Sequence, residues 1–395
     1  MRRVYLDNNA TTRTDPEVVA KMLPYFVQEF GNASSSHSFG VEVATAVREA
    51  RRSVQRLLGA AHDHEIVFTS GGTESNNAAL FAGVAAVEGR NEIVTTVVEH
   101  PAVLSLVEHL QKIGVAKAHF VGVDARGRLD LDAFRAALGS KTAIVSAMWA
   151  NNETGTVFPV EELARLAHEA GALFHTDAVQ AVGKLPMELK STDIDYMSLS
   201  GHKLHGPKGV GALYVRKGTK FAPFIRGGHQ ERARRGGTEN TPGIVGLGVA
   251  AELAKARLQE DAAHVAALRD KLERGALRRI GHCRVSGDVD NRLGNTSNIA
   301  FSGIEGEAVL SHLDRAGLAA STGSACTAGS TEPSHVLRAM NVPADALHGA
   351  VRFSFSRENT VEDVDEVLRI LPGIVAKLRE IAQASRDREA QLITN

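Results

Sequence analysis

From residue 66 to 215, short apolar runs alternate with stretches of helical period, and this alternation constrains the fold more than any other feature. Strands are expected at 66–69, 92–98, 118–123, 142–147, 172–175, 194–199 and 210–215. Helical patterns at 73–87, 101–113, 131–138 and 159–169 separate most of them. Such alternation predicts an α/β fold, with a mostly parallel sheet covered by helices on both faces. Ligand groups in these sheets gather where strands end.

Outside this block the texture changes. Residues 16–30 read as a helix with Pro16 in its first turn and Gly31 closing it, and 41–58 as a longer one. A basic, glycine-rich segment at 226–240 precedes a long helical pattern at 242–278. Shorter strands at 297–301 and 351–355 then mix with helices in an α+β pattern. The apolar period from Val361 onward is helical, with an interruption expected at Pro372-Gly373. The division is a large domain at 15–255 and a smaller α+β domain from 1–14 and 256–395, the boundary falling inside the long helix.

Charge excludes some functions. With 45 Lys+Arg against 46 Asp+Glu the net charge is -1, which argues against nucleic acid or an anionic membrane as partner. Arg2 and Arg3 are followed by no apolar signal region, and no run reaches spanning length, so a cytoplasmic protein is expected. Two cysteines, Cys283 and Cys326, exclude a disulfide framework and a cysteine-based zinc site.

The polar residues that follow the strands carry the chemistry. Lys203, in Ser200-Gly201-His202-Lys203, sits in a glycine-rich loop beside a hydroxyl and two imidazoles. Desolvation there lowers an amine's pKa and frees it for Schiff-base chemistry. Asp177 ends the strand before Ala178-Val179-Gln180 and is either a helix cap or the partner of a protonated ring nitrogen, the pairing that pyridoxal phosphate uses. Ser70-Gly71-Gly72-Thr73 opens a helix, either as a plain cap or as a cradle for a phosphate. His100 either stacks on a ring face and moves protons or is structural. Asn151 and Asn152 supply amides for a ring hydroxyl or form a turn. Cys326 lies in a run of small residues that reads as a mobile loop (about 321–333), fit for a travelling nucleophile. Cys283, flanked by apolar residues, reads as packed. Arg352 lies among strand-type residues and suits a substrate carboxylate.

Jointly, Asp7-Asn8-Asn9-Ala10-Thr11-Thr12, Thr69 to Asn77, Glu99-His100-Pro101, Asn151 to Gly155, His175 to Gln180, Ser200 to Lys203 and Gly323 to Thr327 resemble the cysteine desulfurases. That family holds pyridoxal-phosphate enzymes of the class V aminotransferase superfamily, fold type I. The loop around Cys326 is similar to the NifS and IscS types, and Glu332 to Met340 to the NifS branch. The resemblance implies that Lys203 carries the cofactor, Asp177 binds its ring nitrogen and His100 stacks on the ring. It sets Gln180 and Asn151 on the ring hydroxyl, and Gly72, Thr73, Ser200 and His202 on the phosphate. Thr238 would reach the phosphate from the other subunit of a homodimer, which makes 226–240 an interface segment. Arg352 and Asn152 would hold L-cysteine. Cys326 would take its sulfur as a persulfide for an iron–sulfur scaffold, sharing an iron–sulfur ligand position during transfer. Two alternatives belong to other classes: a selenocysteine lyase or aminotransferase, which needs no mobile Cys326, and a non-catalytic partner protein of the same fold.

Overall fold

The structure, a computed structural model, describes residues 3–322 and 332–393. In chain order it contains β1 (Val4–Tyr5), α1 (Pro16–Met22), α2 (Pro24–Val27), α3 (Ser38–Leu58), β2 (Ile66–Thr69), α4 (Gly72–Ala86), β3 (Glu92–Thr96), α5 (Pro101–Lys112) and β4 (Lys117–Val121). Next come α6 (Leu131–Ala137), β5 (Thr142–Ser146), α7 (Val160–Glu169), β6 (Leu173–Asp177), β7 (Tyr196–Ser200), β8 (Gly211–Val215), α8 (Gln230–Ala233) and α9 (Thr241–Arg279). The chain closes with β9 (Cys283–Ser286), β10 (Thr296–Phe301), α10 (Gly306–Arg315), β11 (Leu318–Ala319), α11 (His335–Ala339), α12 (Ala344–Leu347), β12 (Ala350–Ser354) and α13 (Val361–Ile393).

Seven strands form one sheet in the order β2-β8-β7-β6-β5-β3-β4. Only β8 runs against its neighbours; β7, β6, β5, β3 and β4 are parallel. Both faces are buried, as a helix-covered parallel sheet requires. Successive residues alternate between two apolar layers. Phe68, Val94, Val145 and Tyr214 point into one with α3, α7 and the first half of α9. Val67, Ile93, Ile144 and Leu213 point into the other, against α4 and α5. The strand ends that the alternation predicts therefore share one edge.

A second core gathers Val4 and Leu6 with β10, β12, α10, α13 and the far half of α9, from Val265 to Ala276, and Ile280 just after it. Helix α9 thus spans both cores, with Ile244 to Ala254 on the sheet side. Two helical expectations differ in detail. The helix expected at 16–30 breaks at Leu23, because Pro24 has no N–H to continue it. The tail, in contrast, runs unbroken through Pro372. Pro372 leaves the Leu368 carbonyl without its helical donor, and Arg279 Nη1 donates to that oxygen at 2.9 Å. Leu371, Ile374 and Val375 are buried around the proline and hold the helix on the core. Among the described residues, no helix is long and apolar enough to cross a membrane.

Candidate active site

At the strand edge lies a cavity of about 360 Å³, walled by Gly72, Thr73, His100, Asn152, Asp177, Gln180, Ser200, His202, Lys203 and Arg352, with Asn9, Ala10 and Asn76. Ten of the residues singled out in the sequence thus come together from β7, β6, β12 and the segments that follow β2, β3 and β5.

Lys203 follows β7 in a single 3-10 turn, Gly201–Lys203. Its Nζ donates to the carbonyl oxygens of Asn9 and, at 2.7 Å, Ala10. Asn9 is itself fixed, its Nδ2 on Thr296 Oγ1 (2.8 Å) and its Oδ1 accepting from Asn295 (2.9 Å). The turn after β1 therefore supplies two neutral carbonyl acceptors for the lysine.

Asp177, the last residue of β6, accepts from Val179 N at 3.0 Å and from Asn76 Nδ2 at 2.6 Å. It is buried in the cavity wall, and both of these partners are neutral donors. Asn76 Oδ1, beside it, is buried without a partner. Gln180 donates from Nε2 to the Asn9 carbonyl (3.0 Å) and accepts at Oε1 from Lys184 (2.8 Å).

The opposite type of group gathers at the start of α4. Gly71 has φ 154°, a backbone that favours glycine, and Gly72 packs so closely that a Cβ would lie 2.8 Å from Val179 Cγ2. The turn thereby brings the first N–H groups of a 15-residue helix to the cavity beside the Thr73 and Ser200 hydroxyls. His202 pairs its Nδ1 with Thr11 Oγ1 at 3.1 Å. Burial, helped by Lys203 and Lys208, pushes its pKa down to about 4, so it stands neutral near pH 7.

His100 both caps α5 and lines the cavity. Its Nδ1 accepts from Ala102 N at 3.1 Å, which leaves Nε2 to carry the proton of the neutral ring. Below it Glu99 is wholly buried, accepting at Oε1 from Thr96 Oγ1 (2.7 Å) and Met148 N (2.9 Å). Burial pushes its carboxyl up to about 8. Arg352 is 2% exposed; Nη2 donates to Asp7 Oδ1 (2.7 Å) and Nη1 to the Asn152 carbonyl (3.0 Å). Those two bonds fix the guanidinium plane and leave further N–H groups of the fork.

Three expectations fall elsewhere. Asn151 does not line this cavity. Its Oδ1 accepts from Glu153 N (2.9 Å) and Thr154 N (3.0 Å), and its Nδ2 donates to Val98 O (3.2 Å), so the amide is consumed by the turn and the neighbouring Asn152 forms the wall. Thr238 is exposed in a separate depression with Ser70, Val210 and Arg235. Its loop is tied down by the buried Glu231–Arg51 pair at 2.6 Å. Cys326, with its proposed sulfur and iron–sulfur roles, lies outside the described residues. Cys283 is partly buried at the start of β9, its Sγ 3.1 Å from the Ile280 carbonyl, and burial raises its pKa.

Sequence reasoning gave no role to Asn76, Asp7, Glu99 or Lys184, nor to the carbonyls of Asn9 and Ala10. A signal existed for Asp7, Asn9 and Ala10, which form one polar stretch with Thr11 and Thr12. The contacts that give them their roles come from residues far away in the chain.

The residues present fit a pyridoxal phosphate: a buried carboxylate for its ring nitrogen, an amine for its aldehyde carbon and a helix start with hydroxyls for its phosphate. Comparison with known proteins points the same way. The aminotransferase class-V family matches residues 4–367. A "Cysteine desulfurase" of Gluconacetobacter diazotrophicus is 65% identical over 382 residues, covering 97% of this chain and 96% of its own. "Cysteine desulfurase NifS" of Azotobacter vinelandii is 59% identical over 382 residues, covering 97% and 95%. A solved structure described as a "NIFS-LIKE PROTEIN" superposes with TM-score 0.89 at 39% identity, covering 95% of this chain and all of the other.

Proposed function

This chain belongs to the aminotransferase class-V family, and on that premise we propose that it is a cysteine desulfurase of the NifS/IscS type, converting L-cysteine to L-alanine. The observation that carries this reading is the meeting of Lys203, Asp177, the Gly72–Thr73 turn and Arg352 in one cavity.

Pyridoxal phosphate, when bound, supplies the electron sink for chemistry at the substrate's α and β carbons. Lys203 is the residue that would carry it, with Asp177 at the ring nitrogen and Gln180 at the ring hydroxyl. Asn152 takes that hydroxyl role as well, in place of Asn151, and retains its place near the substrate. Gly72, Thr73, Ser200 and His202 hold the phosphate end, completed by Thr238 of a second subunit in a homodimer. A neutral His202 donates a hydrogen bond there without adding charge.

Arg352 takes the substrate carboxylate, its plane held by Asp7 and the Asn152 carbonyl. The Lys203 amine moves the proton at the substrate Cα. His100, whose backbone contact reserves Nε2, holds the proton at the substrate sulfur. Cys326, as thiolate, attacks that sulfur. The S–S bond forms as the C–S bond breaks, the electron pair goes to carbon, and a proton completes alanine. The sulfur stays on Cys326 as a persulfide until an acceptor takes it, for which an iron–sulfur scaffold serving nitrogenase-type or housekeeping assembly fits the NifS relative. A cytoplasmic location follows from that use.

The test is turnover of cysteine by protein loaded with pyridoxal phosphate in the presence of an added thiol, which reduces the persulfide and releases its outer sulfur as sulfide. Alanine and sulfide should appear in equal amounts, and Cys326→Ser should bind cysteine yet produce neither. Undiminished turnover by Cys326→Ser would overturn the sulfur transfer.

A further inference from the structure

Lys184 has no part in the mechanism above, yet it touches the site. It follows a short turn after Asp177, and its amine lies against Gln180 and a small cavity of about 70 Å³ shared with Lys203, Asn295 and Arg357. Its Nζ donates to Gln180 Oε1 at 2.8 Å. Desolvation, with Lys203 and Arg352 adding, pushes its pKa down to about 7. In its ammonium form the group is a donor with no lone pair, so the side it faces must be the amide oxygen.

That contact settles a choice the buried Gln180 otherwise has. A glutamine amide can sit with oxygen or nitrogen on a given side, and only its partners decide which. The Asn9 carbonyl asks for a donor, but Lys203 already supplies one. Lys184 is thus the partner that pins Gln180 Oε1 away from the ligand and leaves an N–H for the cavity. We propose that Lys184 is a positioning residue, fixing the Gln180 amide so that the cavity presents a donor to an anionic ring oxygen. This rests on the reading of the cavity as a pyridoxal-phosphate site.

The test is a double-mutant cycle of Lys184→Met and Gln180→Leu, with Lys184→Gln as the milder variant should the methionine not fold. Apoprotein titrated with pyridoxal phosphate should bind about tenfold more weakly in either single variant, the loss of one buried hydrogen bond. The double variant should be within about threefold of the weaker single, because both act through one contact. The visible maximum of the bound cofactor should move the same way in both singles, and Lys184→Arg should restore it. Independent losses that multiply to about a hundredfold, or unchanged affinity and spectrum in Lys184→Met, would overturn the proposal. If the wild type takes up no pyridoxal phosphate, the cofactor reading fails and the proposal falls with it, whereas cofactor uptake by the wild type with independent losses in the cycle overturns the proposal alone.

Discussion

Replacing Asp177 by asparagine keeps shape and removes charge, which isolates what the carboxylate contributes. Both oxygens accept, one from Val179 N at 3.0 Å and one from Asn76 Nδ2 at 2.6 Å. In Asp177→Asn one acceptor becomes an NH2, so one of these donors loses its partner. A buried donor left unsatisfied costs about 1–3 kcal/mol, and urea unfolding of the apoprotein should report that loss. Cofactor binding loses more, because a charge-assisted hydrogen bond to the ring nitrogen is worth about 1.5–3 kcal/mol. That is roughly a 10- to 150-fold rise in the dissociation constant for pyridoxal phosphate. Turnover should fall further than affinity, since a ring nitrogen without its anion is a poorer electron sink. Fluorescence titration and alanine release on the same preparation separate the two effects. Stability lowered by the expected amount, with cofactor affinity and turnover unchanged, would show that Asp177 is only a cap after β6.

Other consequences follow from named contacts. Glu99 rises from its ordinary 4.5 to about 8 on burial, so the folded state binds more protons between those values, and stability should fall as pH rises through that window, by at most about 1.4 kcal/mol per pH unit. Glu99→Gln should flatten this part of the apoprotein's urea profile, and an unaltered slope would count against it. Arg279→Met should lower stability by about 1 kcal/mol by leaving the Leu368 carbonyl unpaired. In a Pro372→Ala background, where the helix supplies its own donor, the same change should be nearly silent, and equal losses in both backgrounds would refute the compensation. Mixing Lys203→Ala with Thr238→Ala subunits should yield dimers with one intact cofactor site; absence of any wild-type-affinity class would place the phosphate cup within one chain.

Much of the sheet was legible because its strands are short, apolar and punctuated by glycine and polar residues at their ends. Lys203, Asp177, His100 and the Gly72–Thr73 turn could be read for that reason: each ends a strand, lies in the turn after one, or opens a helix. Asn151 and Asn152 could not be told apart by pattern, because adjacent residues differ only in direction. The turn consumes one amide and turns the other to the cavity. Asp7 and Arg352 meet across most of the chain's length, and no local period reports such a pairing. Pro372 misled for a related reason. The sequence records the lost N–H, while the Arg279 guanidinium that replaces it arrives from another helix.

The central claim is that this cavity holds pyridoxal phosphate on Lys203, and Lys184 makes it testable, being a second lysine at the same site. Both line one small cavity, and each is hydrogen-bonded to a wall residue of the larger one. Borohydride reduction of protein loaded with pyridoxal phosphate, followed by peptide mass spectrometry, reads the attachment directly. The account predicts one reduced cofactor on the peptide carrying Lys203 and none in Lys203→Ala. Label on Lys184, or a labelled Lys203→Ala protein that still turns over cysteine, would contradict it.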